Sequence, residues 1–174
     1  MPEIRDYHVI NRLVAQALEN GEHEIQLAGV DGQRLLLERL TGPWKARIEI
    51  NGNAGPELAF AMNAPSVAVD CLGNAADGTG AHLNAGLLTI RGSTGAAAAL
   101  CQHGGTIVVH GQTGPRAALR MNGGILVLMS SPATRTGEWQ SGGTIYQPPQ
   151  TQADTARHGG LVLDLALCDP ELLR

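Results

Sequence analysis

The sequence contains few cysteines, few aromatic residues and few charged residues, and each shortage argues against a class of protein. The three cysteines are odd in number and show no CxxC spacing, which argues against a disulfide framework or a zinc site. Charged residues make up 16% of the chain and apolar residues 43%, so the composition is not that of a disordered segment.

Long apolar runs are also missing, since no stretch approaches the roughly 20 residues that span a bilayer. The first seven residues do not show the pattern of a secretory signal. The formal net charge of −4 gives no general affinity for nucleic acid or for an anionic membrane. We therefore expect a cytoplasmic protein that binds neither nucleic acid nor membrane.

Glycine, in contrast, is abundant, with 23 residues, and it recurs inside a 19-residue repeat. Residues 84–102 read NAGLLTIRGSTGAAAALCQ, residues 103–121 read HGGTIVVHGQTGPRAALRM and residues 122–140 read NGGILVLMSSPATRTGEWQ. A fourth copy begins at Ser141 as SGGTIYQ and then stops. Self-similarity at a fixed period predicts stacked structural units.

Each unit carries the same internal pattern, with apolar residues at positions 5 and 7 and glycine or a small residue at positions 9 and 12. In the first copy these are Leu88, Ile90, Gly92 and Gly95. Apolar residues two apart indicate a strand with one buried face, and glycine at fixed offsets indicates tight turns. The predicted structural turns are at Gly29, Gly32, Gly52, Gly55, Gly73, Gly92, Gly95, Gly104, Gly105, Gly111, Gly114, Gly123, Gly124, Gly142 and Gly143.

The same frame extends backwards through residues 65–83, and through longer units at 44–64 and 21–43. One unit cannot bury its apolar face alone, whereas stacked units pair their strands into a continuous core. The repeat therefore predicts an all-β fold, a single-stranded parallel β-helix with coils of about 19 residues. Its hand does not follow from the spacing, and we expect the right-handed sense that parallel crossovers usually take.

Segments at both ends differ from the repeat. Residues 1–20 carry apolar residues at helical spacing and predict a helix that has Asn11 as its N-cap and runs to about Glu19. We expect this helix to cap the open end of the domain at 21–147. Within the first coil, residues 24–27 and 35–40 are both predicted strands. Residues 148–174 form a tail, with a loop to 158 and a strand after it, that docks on the other end or on a partner.

Several residues invite a chemical interpretation. The histidines His82, His103, His110 and His158 fall at different coil positions, which does not suit a repeated metal site. Asp70, Asp77 and Arg91 could form the acid and base cluster of a β-helical lyase. Cys101 could be a nucleophile. The glycine-rich segment 73–80 resembles a phosphate loop only in composition. We favour the simpler interpretation of each candidate: the histidines lie on the surface, and the glycine-rich segment forms turns of the coil. The small residues late in each unit form a packed corner. We therefore predict no catalytic, cofactor-binding or metal residue.

The outward positions of the later strands are unusually apolar for a free monomer. They predict burial against a partner or against one of the chain's own terminal segments. The predicted partner face consists of Thr106, Val108, Ile125, Val127 and Tyr146.

The units HGGTIVVHGQTGPRAALRMNGG and INGNAGPELAFAMN resemble the GXGXG repeat of the C-terminal domain of the large glutamate synthase subunit. That domain recurs as a separate subunit in N-methylglutamate synthase and in formylmethanofuran dehydrogenase complexes. The resemblance covers residues 9–146, with Ser130 and Ala133 departing from the glycines of the pattern. It implies a right-handed β-helix with a non-catalytic, scaffolding role.

The resemblance also implies partners, because this chain has neither an N-terminal cysteine nucleophile nor a flavin or iron–sulfur motif. A glutaminase-type subunit and an FMN-dependent synthase subunit would carry that chemistry, together with an iron–sulfur cluster. A formylmethanofuran dehydrogenase or formyltransferase complex, a β-helix that assembles with itself, and an enzyme in its own right remain alternatives.

Overall fold

The chain forms one continuous parallel sheet with a single helix before it. The computed structural model describes residues 6–149 and 159–173. Helix α1 spans Tyr7–Glu19, and two short 3-10 helices, Leu165–Leu167 and Pro170–Leu173, follow the last strand. The strands are β1 Glu24–Asp31, β2 Ala46–Asn53, β3 Asn63–Cys71, β4 Ala85–Ile90, β5 Thr106–Val109, β6 Asn122–Leu128, β7 Gly142–Gln147 and β8 Leu161–Asp164.

Every strand pairs in parallel with the strands before and after it in the chain, in the order β1 to β8. A sheet with this order requires one full coil between neighbouring strands, so the chain is a β-solenoid and the predicted parallel β-helix is confirmed. No helix within the described ranges is long and apolar enough to cross a bilayer.

Residues at the same position of successive coils lie directly beside each other. Position 5 forms the row Leu88, Ile107, Leu126 and Ile145, in which each residue pairs with the next. All four side chains are fully buried. The alignment of the repeat copies in the sequence is therefore the same as the pairing register of the strands. The hydrophobic core consists of equivalent positions stacked from coil to coil.

The later part of each coil is a second hydrogen-bonded ladder, but it is not a sheet. Three alternate residues in each coil have a positive φ, which folds the segment into overlapping turns. Ala97 N–H donates to Pro115 O of the following coil at 2.9 Å, and Ala99 N–H donates to Thr79 O of the preceding coil at 2.8 Å. The peptide groups at this corner are thus paired between coils, although the segment is not extended.

The same geometry makes the predicted second strand at 35–40 wrong. Leu35, Leu37 and Arg39 have φ values of 54°, 61° and 52°, so the segment turns instead of extending. Leu36 and Leu37 are nevertheless almost completely buried. The apolar residues reflect a packed corner, which single-sequence periodicity does not distinguish from a short buried strand.

Close contact between coils explains the glycines. A Cβ atom at Gly123 would collide with His103 O of the preceding coil, and one at Gly73 would collide with Gly52 O. Some of the predicted turn glycines lie inside strands: Gly29 interrupts the pairing of β1 with β2, and Gly123 belongs to β6. Gly123 thus lies where a side chain would collide with the preceding coil, whereas a Cβ at Gly29 would meet no atom within 4 Å and its φ of 71° is what favours glycine there.

The coil at 122–140 is irregular where it departs from the glycine pattern. Isolated bridges connect Ala75 to Thr94 and Thr94 to Thr113 in successive coils, and this row ends at Thr113. The next equivalent residue is Pro132, which lies between the two departures from the glycine pattern, Ser130 and Ala133.

Helix α1 lies over the first coil as predicted, but it begins earlier than predicted. Its N-cap is Asp6, whose carboxylate accepts a hydrogen bond from His8 N–H at 2.9 Å. Val14 and Leu18 are buried within the core of the solenoid. Asn11, the predicted N-cap, lies inside the helix and its side chain reaches the first coil instead.

The C-terminal segment contains a further copy of the repeat. Strand β8 pairs with β7, with Leu161 opposite Thr144 and Val162 opposite Ile145. The sequence HGGLVLD at 158–164 repeats the HGG, NGG and SGG starts of the preceding coils, so the repeat continues beyond its predicted end at 147. Most of the predicted loop at 148–158 lies outside the described residues.

Candidate functional site

The outward face of the sheet is divided into a charged half on the early strands and an apolar half on the later ones. Arg47 of β2, Asp70 of β3 and Arg91 after β4 form the centre of the charged half. Outward residues alternate with core residues along each strand, so the stacking of coils brings these three side chains together.

Asp70 is the hub of this cluster. Its side chain is only 8% exposed, and it pairs with Arg47 Nη2 at 2.9 Å. Arg91 binds it with two hydrogen bonds, from Nε to Oδ1 at 3.0 Å and from Nη2 to Oδ2 at 3.1 Å. A bidentate guanidinium–carboxylate pair of this kind is strong and directional, and Asp70 raises the pKa of Arg91 further.

His110 extends the cluster into the next coil. Arg91 Nη1 lies 3.3 Å from His110 Nε2, and a guanidinium group only donates hydrogen bonds. The contact therefore requires a neutral imidazole whose Nε2 accepts. Burial lowers the pKa of His110, the positive charge of Arg91 lowers it further, and the charge of Asp70 partly opposes this.

An open groove borders the cluster at the start of β1, β2 and β3. His23, Lys45 and Arg47 line it together with Glu24, Ser66 and two alanines. His23 Nδ1 lies 3.0 Å from Lys45 O, which fixes the ring at the rim of the groove. The two cationic side chains Lys45 and Arg47, against the one carboxylate of Glu24, give the groove a positive character.

The predicted lyase cluster is only partly assembled. Asp70 and Arg91 meet, but Asp77 lies at another corner of the coil, where its carboxylate accepts from Ala96 N–H at 2.8 Å. Both oxygens of Asp70 accept hydrogen bonds from arginine, so this carboxylate is poorly placed to take up a proton as a general base. The arrangement favours a structural or recognition role for the charged half.

The apolar half is covered by the chain's own C-terminal segment. Val108 and Val127 are 1% and 0% exposed, and they form a second hydrophobic cluster with Cys168. Leu165 and Leu172 pack against the same cluster. We predicted that either a partner or a terminal segment covers this face, and the structure places the C-terminal segment over Val108 and Val127. The other three residues of the predicted face are half-buried: Thr106, Ile125 and Tyr146.

The remaining predicted candidates do not converge. The His82 and His103 rings lie 5.8 Å apart between centroids, and His103 Nδ1 lies 2.8 Å from Asn122 Oδ1. Within residues 6–149 and 159–173 no three His, Cys, Asp or Glu side chains form a group that could hold a metal.

Cys101 and the glycine-rich segment are parts of the coil corner. Cys101 is half-buried with a φ of 50°. Gly80 N–H donates to Leu58 O of the preceding coil at 2.8 Å, so this amide is committed to coil stacking and is not free to bind a phosphate.

Two buried glutamines are structural residues that the repeat pattern did not predict. Gln102 and Gln140 are fully buried at the last position of their coils, and their Nε2 groups donate to the carbonyls of the glycine pairs that follow. Gln102 Nε2, for example, lies 3.0 Å from Gly104 O. The signal was available in the sequence, since a glutamine directly precedes HGG and SGG where other coils carry leucine or methionine.

The comparisons with known proteins are negative. No family model, no curated protein and no solved structure matches this chain.

Proposed function

We propose that this chain is a non-catalytic scaffolding subunit of a glutamate synthase-like enzyme complex. In such a complex a glutaminase-type subunit releases ammonia from glutamine, and an FMN-dependent synthase subunit, with an iron–sulfur cluster, uses it. The present chain would contribute a rigid body that fixes the distance between those subunits. The proposal rests on the resemblance of the repeat to the GXGXG domain, together with the β-solenoid fold that the resemblance implies.

The observation that best supports a scaffolding role is the continuous stacking of the core. Position 5 forms one uninterrupted buried row from β4 to β7, and the coil corners are tied to each other by backbone hydrogen bonds. A solenoid of this kind resists bending because each coil is held by both neighbours. The charged cluster adds a directional tie across three coils through Asp70.

End-to-end self-assembly is the less favoured alternative, because helix α1 covers the first coil with Val14 and Leu18. A head-to-tail filament would need that end to pair with strand β8 of another copy. The covered end therefore supports assembly with different subunits over assembly with itself.

The test is purification of the tagged chain from its native source, with tag alone as the control, followed by size-exclusion chromatography and mass spectrometry. We expect a stoichiometric complex that contains a glutaminase-type chain and a flavin-binding chain and that shows the visible absorbance of FMN. Recovery of formylmethanofuran dehydrogenase or formyltransferase subunits would favour that alternative. A monomer or a homopolymer without partners would overturn the scaffolding proposal.

A further inference from the structure

The two ends of the solenoid are completed differently. At the first coil, helix α1 packs Val14 and Leu18 into the core. At the other end, strand β8 pairs with β7 and, among the residues that the structure describes, with no other strand. After Asp164 the chain continues as two short 3-10 helices, which pack on the outward face through Leu165 and Leu172. The sheet therefore has a free edge at β8.

This edge is apolar and exposed. Leu161 is 58% exposed, the highest value for a large apolar residue within any strand that the structure describes. The strand sequence Leu-Val-Leu-Asp contains no lysine, arginine or proline, residues that commonly keep an edge strand unpaired. Its one charged side chain, Asp164, accepts a hydrogen bond from Ala166 N–H at 2.9 Å and caps the first 3-10 helix. The edge is thus suited to pairing with another strand.

The backbone of β8 determines which peptide groups face the free edge. Successive residues of a strand direct their N–H and C=O groups to alternate sides. In the coils, position 4 bonds backwards, as Ile125 N–H does to Gly105 O at 2.9 Å. Leu161 and Leu163 occupy positions 4 and 6 and therefore bond to β7. Val162, at position 5, directs its N–H and C=O away from β7.

We propose that β8 pairs antiparallel with β8 of a second copy of this chain, about a two-fold axis at Val162. In that register Val162 N–H donates to Val162 O of the second copy, and the symmetric bond is formed in return. Leu161 lies opposite Leu163 of the second copy on the outward face, because opposite residues of an antiparallel pair share a face. The two Val162 side chains meet on the core side. The sheet and the hydrophobic core then continue from one copy into the other.

Charge and closure favour a second copy as the occupant of this edge. The register places Asp164 opposite Gly160 of the second copy, so it brings no like charges together. Head-to-tail pairing is blocked, because helix α1 covers the first coil. Two-fold pairing uses both free edges and leaves a helix at each far end, so assembly stops at two copies. The proposal goes beyond the scaffolding role, because the dimer requires no other subunit.

The test is size-exclusion chromatography with multi-angle light scattering, applied to the purified chain through a dilution series. We expect twice the monomer mass of 18.2 kDa at high concentration and the monomer after dilution. Leu161→Lys should weaken the dimer at least about tenfold, because the symmetric interface buries the introduced charge twice. Leu13→Lys is the matched control, since Leu13 is 48% exposed on helix α1 at the opposite end of the solenoid. It should leave the dimer unchanged.

Residue-resolved hydrogen exchange of the wild type gives a second measurement that needs no variant. The Val162 amide should exchange more slowly in the dimer than in the diluted monomer, because only the second copy supplies its acceptor. The Leu163 amide bonds to β7 and should be equally protected at both concentrations.

Four outcomes would overturn the proposal: a monomer throughout the dilution series, an oligomer larger than two, equal weakening by Leu13→Lys, or exchange of the Val162 amide that does not depend on concentration. Circular dichroism melts show whether each variant is folded. If Leu161→Lys does not fold, the exchange measurement on the wild type decides. These experiments use the isolated chain, whereas the scaffolding proposal is tested by co-purification, so the two proposals can fail separately.

Discussion

The side chain of Asn11 in helix α1 binds the backbone of Leu37 at the place where later coils are bound by the preceding coil. Asn11 Oδ1 accepts a hydrogen bond from Leu37 N–H at 2.7 Å, and Asn11 Nδ2 donates to Leu35 O at 2.8 Å. In later coils the equivalent amide donates to the preceding coil, as Ala59 N–H does to Leu36 O at 2.8 Å. In the part of the chain that the structure describes, helix α1 and not another coil precedes the first coil, and the Asn11 side-chain amide supplies both an acceptor and a donor.

Asn11→Ala should therefore destabilise the protein by about 1–3 kcal/mol, because it leaves the part-buried Leu37 N–H unpaired. It also removes one of the two donors to Leu35 O, which still accepts from Glu38 N–H at 3.2 Å. Chemical denaturation followed by circular dichroism measures this change. Asn11→Asp is the control, since it keeps the acceptor for Leu37 N–H and loses only the donor, and it should cost less. Equal stability of Asn11→Ala and the wild type would show that the contact does not cap the solenoid.

The pKa of His110 should respond to its neighbours in opposite directions. Burial and the charge of Arg91 lower this pKa below its ordinary value of 6.5, whereas the charge of Asp70 raises it. Arg91→Met should move the pKa back towards the ordinary value, and Asp70→Asn should lower it further. NMR titration of the imidazole measures both, with the distant Arg34→Gln as a control that should not shift it.

The sign of the stability effect follows from the same shift. His110 takes up its proton less readily in the folded than in the unfolded chain, so its contribution is complete above pH 6.5. Stability should decrease as the pH falls from there through the folded-state pKa. His110→Gln should remove this part of the pH dependence, and a pH profile identical to the wild type would contradict the assignment.

Gly123→Ala should destabilise the protein more than Gly29→Ala does. The new Cβ at Gly123 would collide with His103 O of the preceding coil, and crowding of a packed interior costs about 1–3 kcal/mol. At Gly29 a Cβ would meet no atom within 4 Å, although its φ of 71° disfavours a side chain. Denaturation midpoints give the order. The reverse order would mean that backbone conformation, and not coil contact, selects glycine here.

Val127→Asp should release the C-terminal segment from the sheet. Val127 is fully buried beside Cys168, so the charge would be placed inside the second hydrophobic cluster. Alkylation with peptide mapping should show faster modification of Cys168, whose pKa is raised mainly by burial. Leu167→Asp is the matched control, because Leu167 lies one residue away in the same segment and is 68% exposed. If Cys168 is alkylated no faster in Val127→Asp than in the wild type, contacts other than Val127 hold the C-terminal segment on the sheet.

The sequence by itself determined the class of fold and its register. A 19-residue period with apolar residues two apart admits few structures, and the stacked rows of Leu88, Ile107 and Leu126 follow directly from the alignment of the copies. The periodicity did not distinguish a buried strand from a buried corner at 35–40, because both place leucines inside.

Tertiary structure alone decided how the ends and the outer face are completed. From the local sequence Asn11 was predicted to be a helix N-cap. Only the packing of helix α1 over the first coil brings the Asn11 side chain to Leu37 N–H. Val108 and Val127 read as an exposed apolar face until the C-terminal segment covers them. These contacts join residues far apart in the chain, and no local period encodes them.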